Sequence, residues 1–376
     1  MGFGSLLGVG SWELVLPLKI LDASRVLAGP YAAMMLGDLG HDVIKVEAPG
    51  TGDQTRAWGP PWQDGESAYY LSVNRNKRSL TLNLKSPEGQ EIFRKLAAQS
   101  DVLLENFMPG DLDAWGIGWD ALSRLNPRLV LCSITGYGQT GPWKDRPAYD
   151  LALQAEAGWM SITGEAGAPP VRIGVAVIDL FTAHFAVQQI LSALLGRERT
   201  GAGRRIDVSM LDAAVASLTY MAQNVMVTGE PPGRMGSRHP SIVPYQAFAT
   251  KDGWMVVAVG SQAIWQRFCP AIGLPDLLTH PDFKDNPLRV KHRAMLEGLL
   301  SKIFASRPTA DWVALFREKD VPAAPVNDLR AAVQLPVRPP AVRLPPPRLG
   351  EHTDELLRGL GYDAARAAQL RQKGAI

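Results

Sequence analysis

Apolar and polar positions fall into blocks whose period changes along the chain, and the first half repeats one theme. Short apolar runs of strand length are separated by stretches with helical spacing. Lys19 to Asp22 (KILD) reads as a buried strand, and Gly29-Pro30 then opens a helix over Tyr31 to Leu39 that Gly40 ends. Pro in the first turn and Gly past the last are the expected punctuation. His41 to Glu47 (HDVIKVE) gives a second strand, Asp101 to Phe107 (DVLLENF) a third and Pro127 to Thr135 (PRLVLCSIT) a fourth, with a helix at Ile92 to Ala98. Strands alternating with helices in this way predict an α/β, Rossmann-like domain with a doubly wound parallel sheet. Val171 to Ile178 is a further apolar run, read as a strand that ends at Asp179, and a long amphipathic helix follows over Leu180 to Leu195. A turn at Thr200 to Gly203, a strand over Arg205 to Met210 and a helix over Leu211 to Val227 complete this part.

After residue 228 the pattern changes. Gly229 to Pro240 is rich in Gly, Pro and Arg and reads as a linker. Tyr245 to Thr250 and Trp254 to Val259 flank Lys251-Asp252-Gly253, a hairpin signal, and begin a smaller α+β segment that ends near Val326. Gln334 to Arg348 holds six prolines and reads as an extended strap, and a helix from Glu351 closes the chain. The expected division is an extension at 1–16, a large domain from 17–228 and 327–376, and a small α+β domain at 229–326.

Composition narrows the function more than the fold. The 376 residues are 46% hydrophobic, enough for a large core, while charged residues are 20% and the net charge is only +2. No basic block suggests nucleic acid or a membrane surface as a partner. Two cysteines, Cys132 and Cys269, are too few for a disulfide framework or a tetrahedral zinc site, and a reducing compartment fits. Met1 to Leu16 contains no Lys or Arg, so neither a secretory nor a mitochondrial leader is evident. A cytoplasmic location is expected, with the mitochondrial matrix the lesser alternative.

The candidate chemistry is sparse. Gly136-Tyr-Gly-Gln-Thr-Gly141 matches GxGxxG, but Pro142, Trp143 and Pro147 follow where a dinucleotide site needs a helix. A nicotinamide or flavin site is therefore rejected, leaving a loop where Gly136 and Gly138 let a ligand approach, or a plain turn. There is no GxSxG elbow or HExxH, and the six histidines lack metal spacing. Asp179, between apolar run and helix, has two readings: an N-cap, or a carboxylate at the carboxyl end of a parallel strand, where open α/β sheets bind ligands. Asp22, Asp150 and Asp212 are rivals, and the residues alone do not choose among them.

Several segments, taken together, resemble a known family. Leu21-Asp22, Leu27-Ala-Gly-Pro30, Gly37-Asp-Leu-Gly40, Asp42 to Glu47 and Gly50-x-Gly-Asp53 occur in the order found at the start of family III CoA-transferases. Asn74-x-Asn-Lys-Arg-Ser79, Glu105-Asn-Phe107-x-Pro-Gly110, Gly136-Tyr-Gly138-x-x-Gly-Pro142, Gly174-Val-x-x-x-Asp179-Leu180 and Leu349-Gly-Glu-His-Thr353 continue that order. Within the family, Tyr69 to Ser79, Cys132 to Pro142 and Ser241 to Phe248 are similar to the branch that moves CoA between succinyl-CoA and glutarate.

The resemblance implies two subunits linked as interlocked rings, and Asp179 as the nucleophile. It implies a mixed anhydride with an acyl-CoA, then an aspartyl-CoA thioester, and transfer to a carboxylic or dicarboxylic acid, with no metal and no redox cofactor. By position it puts Val26, Leu27 and Ala28 beside the thioester, Asn106, Phe107 and Met210 against CoA, and Tyr149 and Asp150 near the acyl group. Arg75, Lys77 and Arg78 are candidates for the CoA phosphates, with a solvated surface cluster as the other reading, and Asn74 is a further CoA-binding candidate. Arg234, Arg238 and His239 are candidates for a distal substrate carboxylate. Three positions depart from the family pattern: Ala48 and Ala114 stand where arginine often grips the nucleotide, and Ala183 stands where glycine is usual, its methyl group expected to crowd the thiol. The strap is also short, which bears on subunit packing. Two alternatives stay open: an α-methylacyl-CoA racemase, disfavoured because Tyr149 stands where a racemase has histidine, and a CoA-binding protein without turnover.

Overall fold

The computed structural model describes residues 17–337 and 339–376; the extension expected at 1–16 lies outside the described residues. Two compact units emerge, one from the residues up to 159 with 172–229 and 339–376, the other from 160–171 and 230–337. No boundary was expected at 160–171, although Gly164, Gly167, Pro169 and Pro170 lie there.

The first unit is built on six strands: β1 (Lys19–Asp22), β2 (Asp42–Glu47), β3 (Lys77–Thr81), β4 (Val102–Glu105), β5 (Val130–Thr135) and β6 (Arg204–Ser209). All neighbours pair in parallel, in the order β3-β2-β1-β4-β5-β6. Successive side chains point to opposite faces, and here both faces are apolar. Ile20, Val43, Val102 and Val130 join one core, against α1 (Ala28–Asp38) and α4 (Val177–Thr200). Their neighbours Leu21, Ile44, Leu103 and Leu131 join a second core, against α2 (Pro87–Ala97) and the C-terminal helices Thr353–Gly359 and Ala364–Gln372. A parallel sheet covered on both faces gives such near-continuous apolar strands. Three further helices matter below: α3 (Asp150–Glu156), α5 (Met210–Ala216) and α6 (Tyr220–Thr228). Length and apolar content alone would let α4 cross a membrane, but its Ile178, Ala186 and Ile190 are fully buried in the first core.

Several expected elements differ. The run Val171 to Ile178 forms no strand; Val175 is 56% exposed, and the helix already starts at Val177. β3 was not expected, because Lys77-Arg-Ser79 looks polar. Its Lys77 and Ser79 are buried through ion pairing and hydrogen bonding instead of by apolar character. The helix expected over 211–227 breaks into α5 and α6 at Thr219, whose φ is 46°. After Gly136–Gly141 no helix starts until α3, so the glycine-rich segment is a loop.

The second unit has an antiparallel three-stranded sheet of Tyr245–Ala249, Trp254–Ala258 and Ala323–Pro325. Trp265, Phe268, Phe304, Trp312 and Phe316 form its aromatic core.

Candidate active site

The strand order reverses at β1, which pairs with β2 on one side and β4 on the other. In open parallel sheets the crevice at such a switch point is where ligands bind, beyond the carboxyl ends of the strands. The two loops there are clamped together. Asn106, just past β4, accepts from the Arg25 N–H at 2.8 Å and donates its amide to the Arg25 carbonyl at 2.7 Å. Beside this clamp lies a cavity of about 110 Å³. Val26 and Ala28 enter it from the loop after β1, Asn106 and Phe107 from the loop after β4. Thr135 and Gly136 come from β5 and its end, Met210 from the start of α5, Tyr149 and Asp150 from the start of α3, and Asp179 from the first turn of α4. Leu27 is buried beside it with Met34 and Val73.

Asp179 is half-buried, and one carboxylate oxygen accepts the Ala28 N–H at 3.1 Å. Burial and the neighbouring Asp150 charge push its pKa up to about 7 against the lowering effect of that N–H. Among the described residues no cation pairs with it. Asp179 is not an N-cap: Ala176 holds that position. Capping falls to Asp150, which accepts the Ile178 N–H at 2.8 Å with one oxygen and the Gln154 amide at 2.5 Å with the other. The other rivals drop out on environment. Asp22 is fully buried, and although burial alone would raise its pKa, Lys77, Lys45 and Ser24 hold it low. Asp212 is on the surface in the first turn of α5.

Gly136 has a steric role in this cavity. A Cβ there would sit 2.2 Å from the Ala148 Cβ, so only glycine lets the two loops meet. Gly138 has a φ of 84° and a lone neighbouring carboxylate, Asp207, at ordinary contact distance; it does not line the cavity. Tyr149 is 60% exposed, its hydroxyl accepting a 3.4 Å bond from Gln54. Two residues of the neighbourhood escaped the sequence. Tyr69 is pushed up to about 12 by burial and by the charges of Asp179, Asp150 and Asp53, which puts its phenol within reach of their field. The Thr135 hydroxyl is buried without a partner among the described residues. Both lie in stretches that resemble the family, Tyr69 to Ser79 and Cys132 to Pro142, but nothing in the residues singled them out within those stretches.

The predicted phosphate cluster does not line either cavity at the switch point. Lys77 is fully buried, its ammonium bound to Asp22 at 2.9 Å, Asn74 at 2.9 Å and the Pro30 carbonyl at 2.8 Å. Asn74 also donates to the Tyr70 carbonyl. Arg75 forms a two-point pair with Asp38, and Arg78 pairs with Asp42 and Glu355. Each charge is thus satisfied within the fold. Ala183 is fully buried in the first core and does not line the cavity, so its methyl group does not crowd the site. Within the second unit, Arg238 pairs with Glu297, Arg234 donates to the Ala168 carbonyl, and the His239 ring accepts from the Ser241 N–H.

A larger cavity of about 390 Å³ shares Phe107 with the first and opens over the ends of β1, β2 and β3. Ala48 lines it, as does Trp115, the neighbour of the exposed Ala114. Two exposed cations line it as well: Arg25, whose guanidinium lies 4.7 Å from the Phe107 ring centre, and Lys85. Neither has an acidic partner among the described residues.

A carboxyl held near neutrality at a sheet switch point, next to a cavity lined by free cations, suits acyl transfer from a phosphorylated carrier. Comparison with known proteins agrees. The model for CoA-transferase family III matches residues 17–339. The chain belongs to CoA-transferase family III. It is similar to the succinyl-CoA:glutarate CoA-transferase of Mus musculus, 43% identical over 389 residues that cover 96% of this chain and 89% of that protein. The succinate–glutarate CoA-transferase of Agrobacterium fabrum is 41% identical over 83% of this chain and 80% of its own length. Among solved structures, a CAIB/BAIF family protein from Brucella suis superposes with a TM-score of 0.80 at 37% identity, covering 91% of this chain and 98% of its own. The chain is a CoA-transferase of family III, and CoA thioesters are its substrates.

Proposed function

We propose that this CoA-transferase moves CoA from succinyl-CoA to a dicarboxylate such as glutarate, with Asp179 as the nucleophile. The observation that carries the reading is the environment of Asp179. Of the four candidate aspartates it alone lies in the switch-point cavity without a cation partner or a capping role. A carboxylate stripped of water is a stronger nucleophile than one in solution, and it needs donors aimed at the charge that develops. The Ala28 N–H, at the start of α1 and reinforced by the helix dipole, bonds one Asp179 oxygen; it meets developing charge when the thiolate attacks the aspartyl carbonyl and that oxygen becomes an oxyanion.

The steps balance without an oxidant, a reductant or a net proton. An Asp179 oxygen attacks the succinyl carbonyl, the carbon–sulfur bond breaks, and CoA leaves as thiolate. The thiolate attacks the aspartyl carbonyl of the anhydride and releases succinate, leaving CoA on Asp179. Glutarate attacks that thioester and expels the thiolate, which then takes the glutaryl group and frees Asp179. Both intermediates hydrolyse easily, so water must be kept out.

In this reading the CoA nucleotide lies in the larger cavity, with Arg25 and Lys85 facing its phosphates, and the pantetheine passes Phe107 toward Asp179. The family names of the mouse and Agrobacterium relatives support the dicarboxylate pair. A homodimer is part of the proposal. α6 has no buried residue, and its Met226 and Val227 are 78% and 75% exposed, an apolar face that a partner subunit would cover. The test is incubation with succinyl-CoA followed by hydroxylamine, then peptide mass spectrometry. A hydroxamate on Asp179 is expected; transfer activity with Asp179 unlabelled refutes the assignment.

A further inference from the structure

Val26 stands out in the backbone. Its φ is 73°, a left-handed conformation that a β-branched residue avoids, and such outliers persist only where surrounding groups enforce them. Here the enforcing group is visible. The Val26 N–H points at both oxygens of Asp53, at 3.3 and 3.2 Å. Asp53 is 1% exposed and fixed in turn by the Lys45 ammonium at 2.9 Å and by the Thr55 N–H at 3.0 Å and hydroxyl at 2.8 Å. The same Lys45 ammonium holds the Ser24 carbonyl at 3.0 Å. Both ends of the Ser24–Val26 turn are therefore tied to one buried ion pair. Two residues further on, the Ala28 N–H meets Asp179.

We propose that Asp53 is a positioning residue for CoA transfer: it latches the strained turn at Val26 and so aims the Ala28 N–H at the Asp179 carboxyl. Asp53 touches neither Asp179 nor its cavity; it reaches the wall of the larger cavity with only 1% of its surface exposed, and it acts on Asp179 through the backbone between them. This inference rests on the assignment of Asp179 above. The strain explains why a buried acid is needed: relaxed toward negative φ, the Val26 amide would turn away and carry the start of α1 with it. Asp53 is held ionised, since Lys45 and Thr55 outweigh the effect of burial on its pKa.

The test combines Asp53→Asn, Val26→Pro and the double variant Asp53→Asn/Val26→Gly in the full chain. Exchange of succinyl-CoA with glutarate gives kcat and KM, and amide hydrogen exchange of the 23–30 segment reports the turn without needing turnover. Asp53→Asn should lower kcat at least 20-fold, move KM for succinyl-CoA less than threefold, and speed exchange of the Val26 and Ala28 amides at least 10-fold. Glycine adopts φ 73° without strain, so the double variant should regain at least fivefold in kcat over Asp53→Asn. Val26→Pro leaves the Asp53–Lys45 pair intact but removes the latched N–H and forbids the conformation; it should match the kcat loss of Asp53→Asn even if that variant folds poorly. Unchanged exchange in Asp53→Asn, a Val26→Pro variant of full kcat, or no regain from glycine would each overturn the latch. A wild-type chain that transfers no CoA would overturn the transfer reading instead, with hydrogen exchange still deciding the latch.

Discussion

Replacing Asp179 with Asn should stabilise the protein while destroying its activity, a pairing no structural role would produce. The folded pKa of Asp179 is raised from 3.8 to about 7. A carboxyl with a raised folded pKa binds its proton more tightly in the native state, so its stabilising contribution is present below about pH 4 and is lost as pH rises through 7. Three pH units at about 1.4 kcal/mol each set a ceiling of about 4 kcal/mol. Asp179 is half-buried at a cavity mouth, and solvent there roughly halves the figure to about 2 kcal/mol. Asn keeps an acceptor for the Ala28 N–H and removes the charge. Its advantage should therefore grow between pH 4 and 7 and stay level above, reaching about 4–8 °C in melting temperature for a domain of this size. Thermal unfolding of both proteins at pH 4.5, 6 and 8, beside the exchange assay, reads the two effects. An Asn variant that melts earlier than wild type at pH 8, or a difference that does not change with pH, would show that Asp179 serves the fold and that its raised pKa is not real.

Three further outcomes are expected. kcat/KM should rise with pH through about 7 as Asp179 ionises beside Asp150 and Tyr69, and a profile flat from pH 5.5 to 8.5 would contradict its assignment as the attacking carboxylate. Arg25→Ala and Lys85→Ala should each raise KM for succinyl-CoA about 10-fold, the loss of a charge-assisted contact of about 1.5 kcal/mol, whereas Arg75→Ala, whose charge is paired with Asp38, should leave KM within twofold. Sedimentation should give twice the chain mass of 40.8 kDa, and placing a charge on the apolar face of α6 by Met226→Glu should lower the dimer fraction; a monomeric wild type would remove the proposed partner subunit.

The short, near-continuous apolar runs and the helical spacing between them made most of the large sheet legible, because both sheet faces are apolar. What failed to show has a common physical cause. β3 carries Lys77 and Ser79 into the interior by pairing them with groups distant in sequence, and pairing leaves no trace in local hydropathy. The run before Asp179 has strand-like composition but an exposed Val175, and exposure depends on what the rest of the chain covers. The phosphate cluster at 74–78 is positive in sequence and satisfied in space for the same reason: Asp38, Asp42 and Asp22 lie tens of residues away. Asp179 was legible only through the family pattern, since alone it reads as a cap; it took the fold to show that Asp150 caps the helix. Val26 had a family position but no hint of strain, because φ is not written in residue type when the residue is valine.

In the proposed reading, grip and chemistry occupy separate ends of the same switch point, and that separation would explain how the alanines at 48 and 114 can be tolerated. The proposed nucleophile Asp179, its N–H donor and its like-charged neighbour all belong to loops after β1 and to the first turns of α3 and α4. The two free cations sit on the far side of Phe107, after β1 and β3. Losing a cation at 48 weakens binding by at most the worth of one contact and leaves the field at Asp179 almost untouched, because Phe107 and the Arg25–Asn106 clamp stand between. Arg25 links the two ends through its backbone. Its side chain faces the larger cavity over Phe107, while its backbone is held by Asn106 one residue before the strained Val26. A ligand that pulls on the Arg25 guanidinium therefore pulls on the turn that aims Ala28, so CoA bound at the distant cavity should tighten the hydrogen bond to Asp179 only when its phosphates are present. Pantetheine thioesters lacking the nucleotide should accordingly lose kcat as well as affinity; an unchanged kcat with a raised KM would place all of the nucleotide's effect in binding.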